Sequence, residues 1–306
     1  ARADGDPRPA WQTWLREAGE LLGLASVAGE APQADRPVTL TLARREQLND
    51  PNDPVTHEAW ALELTSAEPL DFRPGDLLLI TPRAGEPARP YSIGSTPLED
   101  PHRLLLTVAV TSRTDEQGRT RAGQVSSLLG RQLPIGASLH ATLRRHEHLH
   151  PPEDPSQPII LIAAGCGIAP FIGFLAERER QPEAGPVWLI FGNRRRHGDF
   201  FHGERLLAWR EQGVLTRLDL AFSRDEEDGS YIQDRLHEAG TELIAWLTQH
   251  GARLYACGRR NTVGEGVRAT LAVALIEHEL VPDADHADRQ LAQWEQEGRL
   301  RFDVID

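Results

Sequence analysis

The chain contains no lysine and no methionine, and only two of its 306 residues are cysteine. All 33 basic residues are therefore arginine, which excludes a Schiff-base lysine and a lysine ligand for phosphate. The two cysteines, Cys166 and Cys257, are too few for a disulfide framework, and their spacing is not that of metal ligands. A reducing, cytoplasmic setting is the simpler expectation.

Basic residues are also scarce relative to acidic ones, since 46 aspartates and glutamates give the chain a net charge of −13. This charge argues against nucleic acid as a partner. The uncharged run at residues 158–176 approaches the length of a membrane span. Its three glycines, Pro170 and the charge that follows at Glu177 favour a strand and a helix instead, so we expect no membrane span.

The residues from Pro158 to Phe171 predict a buried strand, a glycine turn and a helix. Gly165 and Gly167 leave room for a pyrophosphate to approach the backbone, and a following helix presents free N–H groups to it. The third glycine of the usual fingerprint is absent, and Pro170 stands in the first helical turn, where proline is tolerated. Taken alone, the segment is either a dinucleotide phosphate site or an ordinary strand, turn and helix.

His146, His148 and His150 alternate just before a pair of prolines. A metal site is one interpretation of this pattern, but no cluster of cysteines or carboxylates accompanies the histidines. We therefore expect no metal, and predict that the three histidines lie at a solvated strand end.

Three regions follow one another along the chain. Residues 1–35 place Trp11, Trp14 and Leu15 at helical spacing, which predicts an amphipathic helix and a linker. Residues 36–153 contain short β-like runs between turn residues, the pattern of an antiparallel barrel, with one helix near residues 124–131. Residues 154–306 alternate strand-like runs with helical segments at 202–212, 233–249 and 267–278, which predicts a parallel sheet flanked by helices.

Seven short motifs occur along the chain in a characteristic order. They begin at Arg89, Gly123, Gly165, Phe191, Ser223, Tyr231 and Tyr255. In order and spacing they resemble the ferredoxin–NADP reductase superfamily, above all the FAD-containing half of diflavin reductases of the sulfite reductase flavoprotein type. The resemblance covers roughly residues 37–306. It implies a two-domain fold, in which an antiparallel six-stranded FAD-binding β-barrel is followed by an α/β parallel-sheet NADP-binding domain.

The resemblance also implies that hydride passes from NADPH to FAD, with Ser92 and Cys257 beside the reacting atoms. Tyr91 would stack on the flavin ring, and the remaining FAD contacts would come from Arg89, Gly123, Gln124, Val125 and Ser126. The NADPH pyrophosphate would lie on Gly165, Cys166 and Gly167. The 2′-phosphate would be held by Ser223, Arg224, Tyr231 and Gln233, and the nicotinamide would be bordered by Cys257, Gly258 and Ile305.

Several positions differ from the family pattern. The large helical insertion of diflavin enzymes is missing between Asp76 and Arg89. Gly229 replaces a phosphate-binding lysine, for which the arginines at 194–196 are a candidate substitute. Arg259 replaces an acidic residue, and Ile305 replaces the aromatic residue that covers the flavin. We therefore expect weaker selectivity for NADPH over NADH. Cys166 stands where the family has threonine, so both cysteines are expected to border one site.

The resemblance implies a redox partner, either a flavodoxin-like FMN domain or protein, or an iron–sulfur or haem protein. Two other functions stay open at this point. The chain is alternatively an FAD-dependent NAD(P)H reductase of small acceptors such as quinones or ferric chelates. A non-catalytic flavin-binding module is the third possibility, because the changes at Gly229, Arg259 and Ile305 are compatible with lost activity.

Overall fold

The computed structural model of the chain describes residues 35–83, 85–114, 117–226 and 229–305. The helix and linker predicted at 1–35 lie outside these residues, except for Asp35. Within the described ranges, no helix is long and apolar enough to cross a membrane.

The first half of the described chain folds into an antiparallel sheet. Its strands are β1 (Arg36–Gln47), β2 (Ala59–Thr65), β3 (Leu77–Ile80), β4 (Arg89–Ser92), β5 (Arg103–Ala109) and β8 (Ser138–Arg144), and a separate hairpin consists of β6 (Ser112–Thr114) and β7 (Thr120–Ala122). The order in the sheet is β4-β3-β8-β1-β2-β5. Beside its two edge strands, the Gly94 N–H donates to the Leu105 carbonyl at 2.8 Å. The sheet is therefore a nearly closed six-stranded barrel, as predicted.

Alternating side chains fill this barrel. Leu40 and Leu42 of β1 and Leu62 and Leu64 of β2 are all fully buried, while the residues between them face outward or lie half-buried. The helix predicted near residues 124–131 begins as α1 (Gln124–Ser127) and continues as a wider turn through Leu128–Gln132.

The second half is a parallel sheet with helices packed on it. Its strands are β9 (Ile159–Ala164), β10 (Val187–Asn193), β11 (Arg217–Phe222), β12 (Arg253–Arg259) and β13 (Leu300–Ile305). The helices are α2 (Ala169–Arg178), α3 (Arg196–Asp199), α4 (Gly203–Glu211), α5 (Ile232–Glu238), α6 (Gly240–Thr248), α7 (Glu265–Glu277) and α8 (Ala284–Gln296). Because helices cover both faces, β9 is a continuous apolar run in which five of six residues are buried.

The strand order β11-β10-β9-β12-β13 places the crevice of the sheet at β9. From β9 the chain moves outward through β10 to β11 and then returns to β12 on the other side. Ligands of such sheets bind at the carboxyl ends of the strands where the order reverses. The glycine turn predicted from the sequence lies at this point, directly after Ala164.

The second half differs from the prediction in two elements. The helix predicted at 233–249 is two helices, because Ala239 leaves helical geometry and a second helix begins at Gly240. Cys257 lies within β12, and the sheet continues beyond it because β13 pairs with β12. Helix α8, which leads into β13, was not predicted.

Helix α2 attaches the parallel sheet to the barrel. A Cβ at Gly173 would lie 2.9 Å from Pro74 Cβ and 3.0 Å from the Ser95 carbonyl oxygen, so the helix backbone lies directly on the barrel. The Thr96 hydroxyl donates to the buried Glu177 carboxylate at 3.1 Å. This contact attaches the last turn of α2 to the barrel loop that follows β4.

Candidate functional site

A cavity of about 1240 Å³ lies between the barrel and the carboxyl ends of the parallel strands. The predicted site residues that line it are Arg89, Tyr91, Ser92, Gly123, Gln124, Val125, Ser126, Gly165, Cys166, Gly167, Ser223, Tyr231, Cys257 and Gly258. The fold thus brings the barrel motifs and the sheet motifs, far apart in sequence, to one cavity.

The glycine turn forms part of the floor of this cavity. Residues Gly165–Ile168 make one tight helical turn, and α2 follows with Pro170 in its first turn. Gly165 has a φ of 55°, and a Cβ built on it would meet nothing within 4 Å. Gly167, by contrast, touches the backbone of β12. The open space above Gly165, at the start of a helix, fits the pyrophosphate of a dinucleotide.

Tyr91 contributes a flat, protonated ring to the barrel side of the cavity. Burial raises the pKa of its phenol to about 12, although the Arg89 guanidinium acts in the opposite direction. Tyr91 also packs against the apolar interior of the barrel, so its ring is held in place from behind. A ring of this kind can stack on a planar ligand.

The loop before α1 is fixed by side-chain hydrogen bonds. The Ser126 hydroxyl accepts from the Thr111 N–H at 3.2 Å and donates to the Gly123 carbonyl at 3.3 Å. A Cβ at Gly123 would lie 2.3 Å from Thr111 Oγ1. The Ser126 side chain therefore shapes the loop, and no side chain caps the first N–H groups of α1.

Cys257 and Asp303 lie side by side at the end of the parallel sheet. They are directly paired residues of β12 and β13, and the Cys257 thiol donates to Asp303 Oδ2 at 3.7 Å. Burial raises the pKa of the Cys257 thiol well above its usual value, and the Asp303 charge acts in the same direction. The cavity is thus lined here by a neutral thiol next to a carboxylate.

Sequence reasoning missed Asp303 as a site residue. The acidic residue of the family pattern is expected at Arg259, but the carboxylate that lines the cavity is that of Asp303. The alternation of Arg301, Phe302 and Asp303 is typical of a strand and could have placed Asp303 on one face of it.

Both cysteines border the cavity, in agreement with their expected proximity. Both are free thiols. Burial raises the pKa of the Cys166 thiol to about 12, and a charge on Cys166 would raise the pKa of Cys257 further. Neither group is poised as a thiolate nucleophile.

Three predicted site residues do not line the cavity. The Arg224 N–H donates to the Arg194 carbonyl at 2.7 Å, which places Arg224 next to the cavity arginine Arg194. The Gln233 side chain donates to the Thr262 carbonyl at 2.6 Å. Ile305 ends β13, where its backbone pairs with Arg259.

The arginine run at 194–196 has divided roles. Arg195 lies 3.5 Å from Asp53 and Arg196 lies 3.8 Å from Asp225, so both are in ion pairs. Arg194 instead lines the cavity, where its guanidinium donates to the Val55 carbonyl at 2.8 Å. Arg194 is therefore the member of the run that is available to a bound anion.

His57 was not predicted as a site residue, yet it faces the cavity from the barrel loop before β2. Burial and the charges of Arg194 and Arg259 lower the pKa of its imidazole. This end of the cavity therefore carries a positive potential that suits phosphate groups. No sequence motif identifies His57, because the charged residues near it, Arg194 and Arg259, lie at the ends of β10 and β12, far from it in the sequence.

The prediction of a solvated strand end at the alternating histidines was wrong. Glu147–Leu149 form a short helical turn after β8, and His150 is buried with its Nε2 2.6 Å from Asp76 Oδ1. His148 is exposed, whereas His146 faces β13 at Asp303. The described residues contain no group of side chains suited to a metal ion.

Fold and cavity together define the class of protein. Residues 161–267 match the model of the oxidoreductase NAD-binding domain family. A six-stranded antiparallel barrel joined to this domain is the architecture of the ferredoxin–NADP reductase superfamily, and the described residues have this two-domain fold.

Curated relatives refine this class. The chain is 37% identical over 218 residues to a sulfite reductase [NADPH] flavoprotein alpha-component of Bacillus subtilis (strain 168), which covers 71% of this chain and 36% of the relative. It is 34% identical over 249 residues to the protein of the same description from Serratia proteamaculans (strain 568), covering 81% of this chain and 41% of the relative. The matched region thus spans about two fifths of the length of these relatives.

Proposed function

We propose that the chain is an NADPH-dependent reductase that holds FAD in its barrel and NADPH on its parallel sheet. The observation that carries the proposal is the single cavity lined by Tyr91 and Ser92 on one side and by Gly165 and Cys257 on the other. The proposed domains are residues 36–153 for FAD and 154–306 for NADPH. The relatives' printed description as NADPH-dependent flavoproteins supports the same cofactors.

FAD would be held by Arg89, Tyr91, Ser92 and the loop from Gly123 to Ser126. The residues present fit this group, because the loop leaves backbone N–H groups uncapped and Tyr91 offers a neutral ring. Arg89 can pair with a pyrophosphate in two parallel hydrogen bonds. When bound, the flavin supplies the acceptor for hydride, and these residues orient it.

NADPH would lie across the glycine turn of Gly165, Cys166 and Gly167. Ser223 and Tyr231, with Arg224 and Gln233 beside them, would surround the 2′-phosphate, and Gly258 and Ile305 would border the nicotinamide. Arg194 and His57 add positive charge at the phosphate end. A guanidinium near the 2′-phosphate favours NADPH because NADH lacks that group.

The chain's own contribution to hydride transfer would be placement and charge. Cys257 would hold the nicotinamide ring beside Ser92, and its thiol keeps its proton because burial disfavours the thiolate. The Asp303 carboxylate would stabilise the positive charge that develops on the ring as hydride leaves. Geometry would supply most of the rate acceleration.

The electrons would pass to a redox partner, either a flavodoxin-like FMN domain or protein, or an iron–sulfur or haem protein. We propose a cytoplasmic location. The β3–β4 hairpin, with Leu77 paired to Ser92, has only a short connection where diflavin enzymes carry their helical insertion. The barrel would therefore meet its partner directly rather than through a connecting domain.

Anaerobic addition of NADPH to the FAD-loaded protein tests the proposal. We expect the flavin absorbance to bleach with NADPH and to return when an acceptor is added. Protein that binds FAD but does not bleach with NADPH or NADH would overturn the proposal and indicate a flavin-binding module. Turnover at micromolar quinone or ferric chelate, but not with flavodoxin, would overturn the proposed protein partner.

A further inference from the structure

His146 lies behind the cavity wall, at the point where the barrel meets β13. Its Nε2 is 4.0 Å from Asp303 Oδ1, while the other carboxylate oxygen of Asp303 accepts from the Cys257 thiol at 3.7 Å. Asp303 therefore lies between a barrel residue and a sheet residue. His146 does not line the cavity itself, whereas both Asp303 and Cys257 do.

The backbone of His146 is anchored on the barrel side. Its N–H donates to Asp76 Oδ1 at 3.0 Å. Asp76 is buried and also accepts from Arg145 at 2.9 Å and from His150 at 2.6 Å. These bonds leave the His146 main chain little freedom to move away from Asp303.

The same turn is attached to β13. The Arg301 guanidinium donates to the Glu147 carbonyl at 2.7 Å. Glu147 directly follows His146, and Arg301 lies two residues before Asp303. The turn that carries the His146 imidazole is thus attached at two points, to Asp76 in the barrel and to Arg301 in the parallel sheet. A half-buried carboxylate on an edge strand would otherwise sample several rotamers.

We propose that His146 is a positioning residue, which holds the Asp303 carboxylate against the Cys257 thiol at the nicotinamide end of the cavity. The effect of this role on hydride transfer rests on the proposed function, whereas the contacts among His146, Asp303 and Cys257 do not. Supporting groups of this kind fix the rotamers of the residues that touch a ligand. The barrel thereby controls a carboxylate that belongs to the NADPH-binding half.

The first test measures Cys257 reactivity, which does not depend on turnover. The FAD-loaded protein is treated with iodoacetamide at constant alkaline pH, and alkylation of the Cys257 peptide is followed by mass spectrometry. Because the Asp303 charge disfavours the thiolate, we expect Asp303→Asn to accelerate alkylation about three- to tenfold. We expect His146→Ala, which removes the imidazole, to accelerate alkylation to the same extent. The double variant should react no faster than Asp303→Asn alone.

His148→Ala is the matched control, because His148 is exposed in the same turn and should leave the alkylation rate unchanged. His146→Gln keeps a side-chain N–H donor near the position of Nε2 and serves as a second variant if His146→Ala does not fold; we expect it to give a smaller acceleration. Unchanged Cys257 alkylation in the His146 variants, alongside acceleration in Asp303→Asn, would overturn the proposal. Additive effects in the double variant would also overturn it.

The second test is stopped-flow reduction of the flavin by NADPH. We expect His146→Ala to lower the rate constant about tenfold and to leave the dissociation constant for NADP⁺ unchanged. Equal losses in both would indicate a general structural role and overturn the proposal. If wild-type protein shows no reduction at all, the proposed function fails, while the alkylation test still decides whether His146 positions Asp303.

Discussion

A side chain at position 167 has no room, because a Cβ built on Gly167 would lie 2.1 Å from the carbonyl oxygen of Cys257. The turn after β9 therefore touches the end of β12. This contact lies between the proposed pyrophosphate site on the turn and the proposed nicotinamide site at Cys257. Only glycine permits such contact of two backbones.

We expect Gly167→Ala to push the turn away from β12 and to weaken NADP⁺ binding at least about tenfold. Titration of NADP⁺ against the flavin spectrum measures this change. Gly251→Ala is the control for a glycine substitution outside the cavity, because Gly251 lies in a surface turn with nothing near its Cβ position. Its φ of 61°, a conformation that Gly167 does not have, adds backbone strain to this control but no contact with the nucleotide site. Equal affinities in the two variants would show that the turn does not bind the nucleotide.

His57 predicts a pH dependence of NADP⁺ binding. Its lowered pKa leaves the imidazole neutral near pH 7 in the free protein, because burial and then the charges of Arg194 and Arg259 disfavour its charge. A bound phosphate would offset those arginines and raise the pKa, so binding takes up a proton and affinity increases as the pH falls. Calorimetry in buffers of different ionisation enthalpy should detect this proton, and His57→Gln should abolish it.

Arg224 predicts the basis of nucleotide selectivity. If it lies at the 2′-phosphate, Arg224→Ala raises KM for NADPH about tenfold or more and leaves KM for NADH nearly unchanged. Steady-state kinetics with both nucleotides measure this difference. Arg196→Ala is a suitable control, because Arg196 is paired with Asp225 and lies over the Phe222 ring. Equal effects of Arg224→Ala on both nucleotides would place the 2′-phosphate elsewhere.

Asp199 is expected to destabilise the fold near neutral pH. It is buried, and burial raises the pKa of its carboxyl to about 6 despite the nearby Arg194 charge. The folded state therefore holds the proton more tightly than the unfolded state, so this group's stabilisation is lost as the pH rises from about 4 to 6. Asp199→Asn should raise the free energy of unfolding at pH 7 by about 1–3 kcal/mol and should have little effect at pH 4. Urea unfolding at both pH values checks this, and a loss of stability at pH 7 would contradict it.

Asp76 has the opposite pH dependence. Burial opposes its charge, but the hydrogen bonds from His150 and from the N–H groups of Arg73 and His146 outweigh burial and lower its pKa. Its stabilisation is present above the pKa of the unfolded chain, near 4, and is lost as the pH falls below it. Asp76→Asn should cost about 3–5 kcal/mol at pH 7 and flatten the acid limb of the stability curve. The exposed Glu153→Gln is the control, and an equal cost in both variants would contradict the assignment.

Much of the fold was accessible from local patterns. The alternation of Leu40 and Leu42 and the buried run at β9 predict the two kinds of sheet. The glycine turn at 165–167 was also recognisable, because its chemistry is contained in a few consecutive residues. The helix break at Ala239 was missed, although Gly240 is a local signal for it, because a single glycine is tolerated inside many helices.

The residues that complete the site could not be found in the same way. Asp303 reaches Cys257 only because β13 pairs in parallel with β12, and His57 reaches Arg194 only because the barrel packs on the sheet. His146 meets Asp303 across 157 positions of the chain (303 minus 146). Local spacing carries no information about such contacts.

The sequence by itself determined which segments become strands, turns and helices, and which of them carry glycine or aromatic groups suited to nucleotides. These properties depend on side-chain period and backbone freedom within a few residues. Only the tertiary structure decided that Cys257, Asp303 and His146 form one contact series and that Arg194, not its two neighbours, faces the cavity. The physical reason is that strand pairing and packing of the barrel on α2 select these contacts, and both arise from burial of the cores as a whole.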